Sequence, residues 1–469
     1  MVTHEENVTT SFMVNARIAG LMQEALYSAQ GLAVLRNVVD DEASQAVLKL
    51  FRLLTSAEQV PMQVAAAYSD ALRVLADSAN KYADAALPDA WQCHLVKRLV
   101  RDENAWTRQV ELLGSRMRAG QVSVSPTLHR QAVRELRALQ RLFALSAELI
   151  WEAVQSVVSD VMPVLSDAWE PWLHLGIISE SSAGGVHTEL MGQVAQCQDW
   201  GDLADALEQH WARHGSGVQS ENVTLRWRGD IQALEGIIYP DPIRLDNIVG
   251  YERELGKLRA NLERFLAGLP AHDALLYGPP GTGKSSSVKA LVNTYVDQGL
   301  RLVEVSKNDI GDLPRIVAQL RARAPRYVLF IDDLSFEDYE TGYKVLKTLL
   351  EGTAEARPRN VLIYVTSNRL NLVREFHADR GKPGDEVNWR DTMDEKQSLV
   401  HRFGLRVTFS APNQEQYVQI AQRLAVQRGL AFSEEDVRER ALQWERQRVG
   451  RSGRLARQFV DDLEAEAGS

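Results

Sequence analysis

Between about Ala16 and Trp172 apolar positions recur at three- and four-residue spacing, as in Val133, Leu136, Leu139, Leu142, Phe143 and Leu145. That periodicity predicts successive amphipathic helices. Breaks are expected near Pro88, across 120–126 and near Pro163. The stretch 179–186, SESSAGGV, is rich in Ser and Gly and reads as a loop or linker. From 222 to 238, NVTLRWRGDIQALEGII predicts short strands before a turn at Pro240-Asp241-Pro242. Past Asp241 the texture changes. Short β-rich apolar runs at 274–277, 302–305, 327–331, 362–366 and 405–409 alternate with amphipathic helical stretches. Such alternation predicts a parallel sheet covered on both faces. Helical periodicity returns after Pro412, and neither an internal repeat nor a low-complexity tract is present.

Composition narrows the class without naming a function. The 469 residues are 45% hydrophobic and 25% charged, which is ordinary for a globular chain of two to four domains. No apolar run reaches the eighteen-odd residues of a membrane span, and the start lacks a basic-then-apolar signal pattern. The two cysteines, Cys93 and Cys197, lie far apart outside any CxxC pair, which argues against a disulfide framework and a cysteine-rich zinc site. A soluble cytoplasmic protein is the expectation. Charge is uneven: the first 240 residues hold 19 basic and 29 acidic residues, and the remainder 34 of each. The whole net charge of −10 therefore sits in the N-terminal half. An acidic surface repels phosphate backbones, so nucleic acid is a possible but unfavoured partner for that half. Eight of the ten tryptophans also lie there, and most are expected to be core anchors, with a partner-binding groove as the alternative for one or two.

The segment Gly278-Pro279-Pro280-Gly281-Thr282-Gly283-Lys284-Ser285 matches GxxxxGK[ST], after the apolar run 274–277 and before a helical run starting near Ser286. That strand–loop–helix setting is what the phosphate-binding loop requires. Glycines let successive N–H groups point at phosphate, and the following helix adds its positive end. Lys284 is the candidate for the β- and γ-phosphates of ATP, and Ser285 for Mg²⁺. The apolar run 327–331 ends in Asp332-Asp333. A parallel strand delivers Asp332 to the metal shell at the sheet's carboxyl edge, and Asp333 would orient or deprotonate the attacking water. A helix cap or solvated turn is the plainer reading of such a pair standing alone.

Further elements fall in one order: the strand 361–366 followed by Ser367-Asn368, then LVHRFG at 399–404, then GRSGRLAR at 450–457. This succession resembles the AAA+ ATPase core over about 246–463. The runs YERELGKLRANLERFL, LLYGPPGTGKSS, FIDDLSFE, TSNR, EKQSLVHRFGL and SGRLARQFVDDL are similar to an uncharacterised bacterial AAA+ family, known mainly by a domain of unknown function. The DD pair and the RFG stretch also resemble replication initiators and helicase loaders. The resemblance implies an α/β AAA+ core with a five-stranded parallel sheet, a small helical lid and a mainly helical N-terminal region. Segments of 1–178 (helical, acidic), 179–240 (linker or mixed α+β), 241–411 (α/β, nucleotide-binding) and 412–469 (lid) are expected. It implies that Ile248-Val249-Gly250 packs against adenine. Asn368 takes the place of sensor 1, Arg402 that of the arginine finger, and Arg454 that of the lid's sensor-2 arginine, with Arg457 and Arg451 as rivals. Members commonly carry glutamate where Asp333 stands, so hydrolysis is less secure than binding.

A finger serving a neighbour implies a homo-oligomer, either a ring or a helix. The loop 306–312, SKNDIGD, lacks the aromatic–glycine pair of polypeptide-threading rings; Tyr339 and Tyr343 are more readily helix-packing residues. No helix-turn-helix follows Leu463. The stretch 369–397 reads as an insertion that contacts a partner or subunit. The leading expectation is Mg²⁺-dependent ATP hydrolysis that remodels a protein partner held by the N-terminal region. The alternatives are a DNA-associated loader and a nucleotide-binding switch with little hydrolysis.

Overall fold

A computed structural model describes residues 14–81, 87–118, 121–163, 169–175, 188–335, 342–351, 358–368, 399–448 and 450–467. The linker motif 179–186, the insertion 369–397 and Tyr339 lie outside them. The chain divides into two compact units, Met1–Glu221 and Asn222–Ser469.

The first unit is helical among its described residues: α1 Ala16–Gln30, α2 Glu42–Leu54, α3 Pro61–Lys81, α4 Ala90–Arg101, α5 Ala105–Arg118, α6 Pro126–Phe143, α7 Ala147–Val158, α8 Thr188–Gln196, α9 Ala204–His214 and α10 Val218–Glu221. The α1–α6 contact is pinned by Glu135, a buried carboxylate that accepts hydrogen bonds from the amides of Ala33, Val34 and Leu35 at 2.8–3.1 Å. Those three bonds satisfy backbone donors that the turn after α1 leaves unpaired. Trp91, Trp106, Trp172, Trp200 and Trp211 are fully buried in this unit. The indole N–H groups of Trp91, Trp106 and Trp211 donate to Leu142 O, Glu208 Oε1 and Val100 O. Rings that bury their area and satisfy their one donor are core anchors. Tyr343 of the second unit is buried as well.

The second unit is built on one seven-stranded sheet: β1 Thr224–Arg228, β2 Ala233–Gly236, β3 Ala274–Tyr277, β4 Leu300–Glu304, β5 Arg326–Ile331, β6 Val361–Ser367 and β7 Leu405–Thr408, in the order β2-β1-β4-β5-β6-β3-β7. Five strands, β4-β5-β6-β3-β7, are mutually parallel, which is the expected AAA+ core sheet. Two strands more than expected extend it: β1 pairs parallel with β4, and β2 closes antiparallel on β1. Both come from the 222–238 stretch. Its Trp227 anchors the addition, being buried with its indole N–H on Asp312 Oδ2 at 3.0 Å.

Helices cover the sheet: α11 Glu252–Leu266, α12 Lys284–Thr294, α13 Leu313–Arg321 and α14 Gly342–Glu351. The near-continuous apolar strands follow from that cover, since parallel strands shielded on both faces have no solvent side to leave polar. All seven residues of β6 are buried. Three further helices, α15 Gln414–Gln427, α16 Glu434–Arg446 and α17 Gly453–Ala467, pack around a core of Tyr417, Val418, Ala421, Phe459 and Val460. Val249, ahead of α11, belongs to that core. Because β3 lies between β6 and β7, the loop after β3 leaves the carboxyl edge beside the end of β6, with the end of β5 one strand further on, where open parallel sheets bind ligands.

Candidate functional site

The loop from Gly278 to Gly283 takes its path from glycine. Gly278, Gly281 and Gly283 have φ of 151°, 77° and 89°, a region that L side chains rarely adopt. At Gly278 the backbone also runs against β7, so that a β-carbon would sit 1.9 Å from Phe409 O. The loop ends as α12 begins at Lys284, turning that helix's free N–H groups toward the loop.

Lys284 is buried, and its Nζ donates to Gly278 O at 2.7 Å, Pro279 O at 2.9 Å and Asn368 Oδ1 at 3.1 Å. Thr282 Oγ1 also donates to Pro279 O, at 2.9 Å. Burial pushes the ammonium below its ordinary value; Asp333 and Asp332 pull it back up, and the Arg454 guanidinium adds to the depression. Ser285 Oγ donates to Asp332 Oδ1 at 2.6 Å, so the hydroxyl and carboxylate nominated for one metal ion already share a point in space. Thr366 Oγ1 donates to the same carboxylate oxygen and accepts the Asp333 N–H at 2.8 Å. Asn368 Nδ2 donates to Asp333 Oδ1 at 2.6 Å. Asp333 has φ of 49°, the left-handed region that aspartate tolerates better than most residues.

A cleft of about 320 Å³ opens beside this cluster. Gly281 to Ser286 and Asp332 form one wall; Ile248, Val249 and Tyr251, with Ile243 and Asn247, form another; Ile420, Leu424, Gly453, Arg454 and Arg457 come from the lid. The lid meets the loop directly, Arg454 N donating to Gly281 O at 3.3 Å. Gly278, Pro279, Pro280, Gly250, Asp333 and Asn368 stand outside the lining, the two prolines within the loop and Gly250 at a φ of 83°. Both Arg454 and Arg457 face the cleft, whereas Arg451 is engaged by Glu445. Arg402 is not at this cleft. It is exposed, and its guanidinium pairs with Glu351 at the end of α14 at 2.9 Å.

The donor set suits a triphosphate and a hard cation. A volume near 320 Å³ lies in the ordinary range for small-ligand sites. An ammonium closed on the loop's own carbonyls, and a serine hydroxyl against a carboxylate, are groups that phosphate and Mg²⁺ take over. Sequence reasoning missed Thr366, Asn247, Ile420 and Leu424. Thr366 had a signal, as a threonine inside an otherwise apolar strand run two residues before Asn368. Ile420 and Leu424 had none, because they reach the cleft from about 140 residues away.

Comparison with known proteins finds a family match and several partial relatives. The family described as "Protein of unknown function (DUF815)" matches residues 220–467, more than half of the chain. The chain is 25% identical over 177 residues to the replication factor C large subunit of Pyrococcus horikoshii, covering 35% of this chain and 36% of that protein. It is 37% identical over 161 residues to the 26S proteasome regulatory subunit 6B homolog of Schizosaccharomyces pombe, covering 31% and 41%. A solved structure of the Thermotoga maritima RuvB Holliday junction branch migration motor matches at 19% identity, covering 47% of this chain and 63% of that one, with a TM-score of 0.34. The matched stretches thus span less than half the length of these curated relatives.

Proposed function

We propose that this chain, which belongs to the family described as a protein of unknown function (DUF815), within the AAA+ class, binds ATP with Mg²⁺ in the cleft and hydrolyses it as an oligomer. The turnover remodels a protein partner held by the N-terminal unit. The observation that carries the reading is the convergence of Lys284, Ser285 and Asp332 at the end of the glycine loop.

Each residue then has a task. Lys284 and the amides of Gly281 to Ser286 bind the phosphates, while Ile248 and Val249, which line the cleft, pack against the base. Ser285 and Asp332 hold Mg²⁺, which when bound neutralises charge on the β- and γ-phosphates. Asp333 takes the proton of the attacking water, and Asn368, donating to Asp333 Oδ1, orients that carboxylate. Arg454, with Arg457 beside it on α17, places positive charge on the lid side. Arg402 serves the neighbouring subunit. Its exposed pair with Glu351 is of a kind that contributes about 0–1 kcal/mol, so the guanidinium is easily released to a stronger anion.

The experiment is a mixing assay. Arg402→Ala and Lys284→Ala are each expected to lose nearly all turnover. Mixed in equal amounts, they regain up to about a quarter of wild-type interfaces, since an intact loop can meet an intact finger across the contact. Full turnover by Arg402→Ala alone, or a mixture no more active than its parts, contradicts the shared site. One of the relatives reported above is named for replication factor C, which supports a DNA-associated role as the second reading. Stimulation of turnover by DNA, lost at high salt, would favour it. Binding without measurable turnover would leave a nucleotide switch.

A further inference from the structure

We propose that Thr366 is a positioning residue for hydrolysis, one buried hydroxyl that sets the metal-binding carboxylate and the backbone of the catalytic base together. It rests on the reading that Asp332 holds the metal and Asp333 the water.

The hydrogen-bond directions are forced. A hydroxyl has one proton to donate and lone pairs to accept with. The Asp333 N–H can only donate, so Thr366 Oγ1 accepts it at 2.8 Å. The hydroxyl's own proton is thereby free for Asp332 Oδ1, its other neighbour. Thr366 is 1% exposed, so no water substitutes for either bond.

Two consequences follow for the site. Asp332 Oδ1 is held by two hydroxyls, those of Ser285 and Thr366. Ser285 must turn its oxygen to the metal, which leaves Thr366 as the group that fixes the carboxylate's rotamer. Asp333, meanwhile, sits at a φ of 49°, a sparsely populated conformation that its surroundings help to hold. The surroundings are its N–H on Thr366 Oγ1, the Leu334 N–H on Thr366 O at 2.8 Å, and Asn368 Nδ2 on its Oδ1. Two of these three bonds end on Thr366. The strand end of β6 therefore dictates the direction in which both carboxylates leave β5. In this arrangement Thr366 acts through Asp332 and Asp333 and touches no reactant.

The test uses the full chain with Thr366→Val, which keeps the shape and removes both bonds, and Thr366→Ser, which keeps the hydroxyl. Turnover is measured alongside affinity for ATP in EDTA and in Mg²⁺. For Thr366→Val, kcat is expected to fall at least tenfold and the gain in affinity due to Mg²⁺ to be mostly lost. Its metal-free affinity stays within twofold, and Thr366→Ser stays within threefold of the parent throughout. Turnover within twofold in the valine variant overturns the proposal. So does parallel loss of metal-free binding, which marks a merely structural residue, or a serine variant as impaired as the valine one. A parent chain that takes up no ATP, or that gains nothing from Mg²⁺, overturns the reading beneath it as well.

Discussion

Replacing Gly278 with alanine is expected to abolish ATP uptake and to lower the melting temperature by about 5–20 °C. The added β-carbon would lie 1.9 Å from Phe409 O and 2.9 Å from Phe409 C, both backbone atoms. Neither side can yield cheaply. Gly278 N donates to Ser367 O at 3.2 Å and Phe409 N to Tyr277 O at 2.8 Å, so β3 is held between β6 and β7. A φ of 151° adds backbone strain. Strain of about 1–3 kcal/mol and overpacking of about 1–3 kcal/mol together give about 2–6 kcal/mol. A unit of this size loses about 2–4 °C per kcal/mol. Gly283→Ala is the informative control, because its φ of 89° is unfavourable but its β-carbon meets nothing within 4 Å. It should keep the strain share of about 1–3 kcal/mol but not the overpacking share, and so melt later than Gly278→Ala. Equal melting curves for Gly278→Ala and the parent would refute the close approach of β7.

Asp333→Asn is expected to reduce turnover about 10²- to 10⁴-fold while leaving ATP affinity unchanged. Asparagine adopts the left-handed backbone as readily as aspartate does, so the substitution removes the charge and keeps the geometry. Asp333→Glu is the companion test. Glutamate matches the residue common in the resembled class, yet it lacks aspartate's tolerance of a φ near 49° and carries the carboxylate one methylene further from its own backbone, off the position that Asn368 holds. It is expected to fall at least tenfold below the parent. Single-turnover measurements separate both effects from binding. Brisk hydrolysis by Asp333→Asn would remove the residue from the chemistry.

The short aspartate thereby gains a physical reason. Read along the chain, Asp333 is a residue where glutamate is common, and the reach of its side chain is the natural concern. In the structure the backbone carries the constraint: β5 ends in a left-handed turn bonded to Thr366. No periodicity encodes a backbone angle, and for that reason this part of the site was illegible.

What could be read was contiguous. The phosphate loop lies in eight consecutive residues with its strand and helix on either side, and the central strands β3, β5 and β6 were visible as short apolar runs because burial on both faces strips them of most polar positions. The two added strands were visible as strands, but not as part of the sheet. The pairing of Thr224 with Leu302 joins residues almost eighty positions apart, and Trp227 reads equally well as a loose aromatic until its N–H meets Asp312. The lid's contribution divides in the same way. The cluster Arg451, Arg454 and Arg457 announced a basic helix start, whereas the choice among its members depended on where the helix begins: Arg454 and Arg457, on it, line the cleft, and Arg451, ahead of it, pairs with Glu445.

Equilibrium uptake of labelled ATP by the full chain, with and without Mg²⁺ and beside Lys284→Ala, tests the central claim most directly. Saturable uptake well below millimolar concentration, tightened by Mg²⁺ and absent in Lys284→Ala, is the predicted result. A parent chain that takes up nothing at millimolar ATP, or a Lys284→Ala chain that takes up as much as the parent, contradicts it.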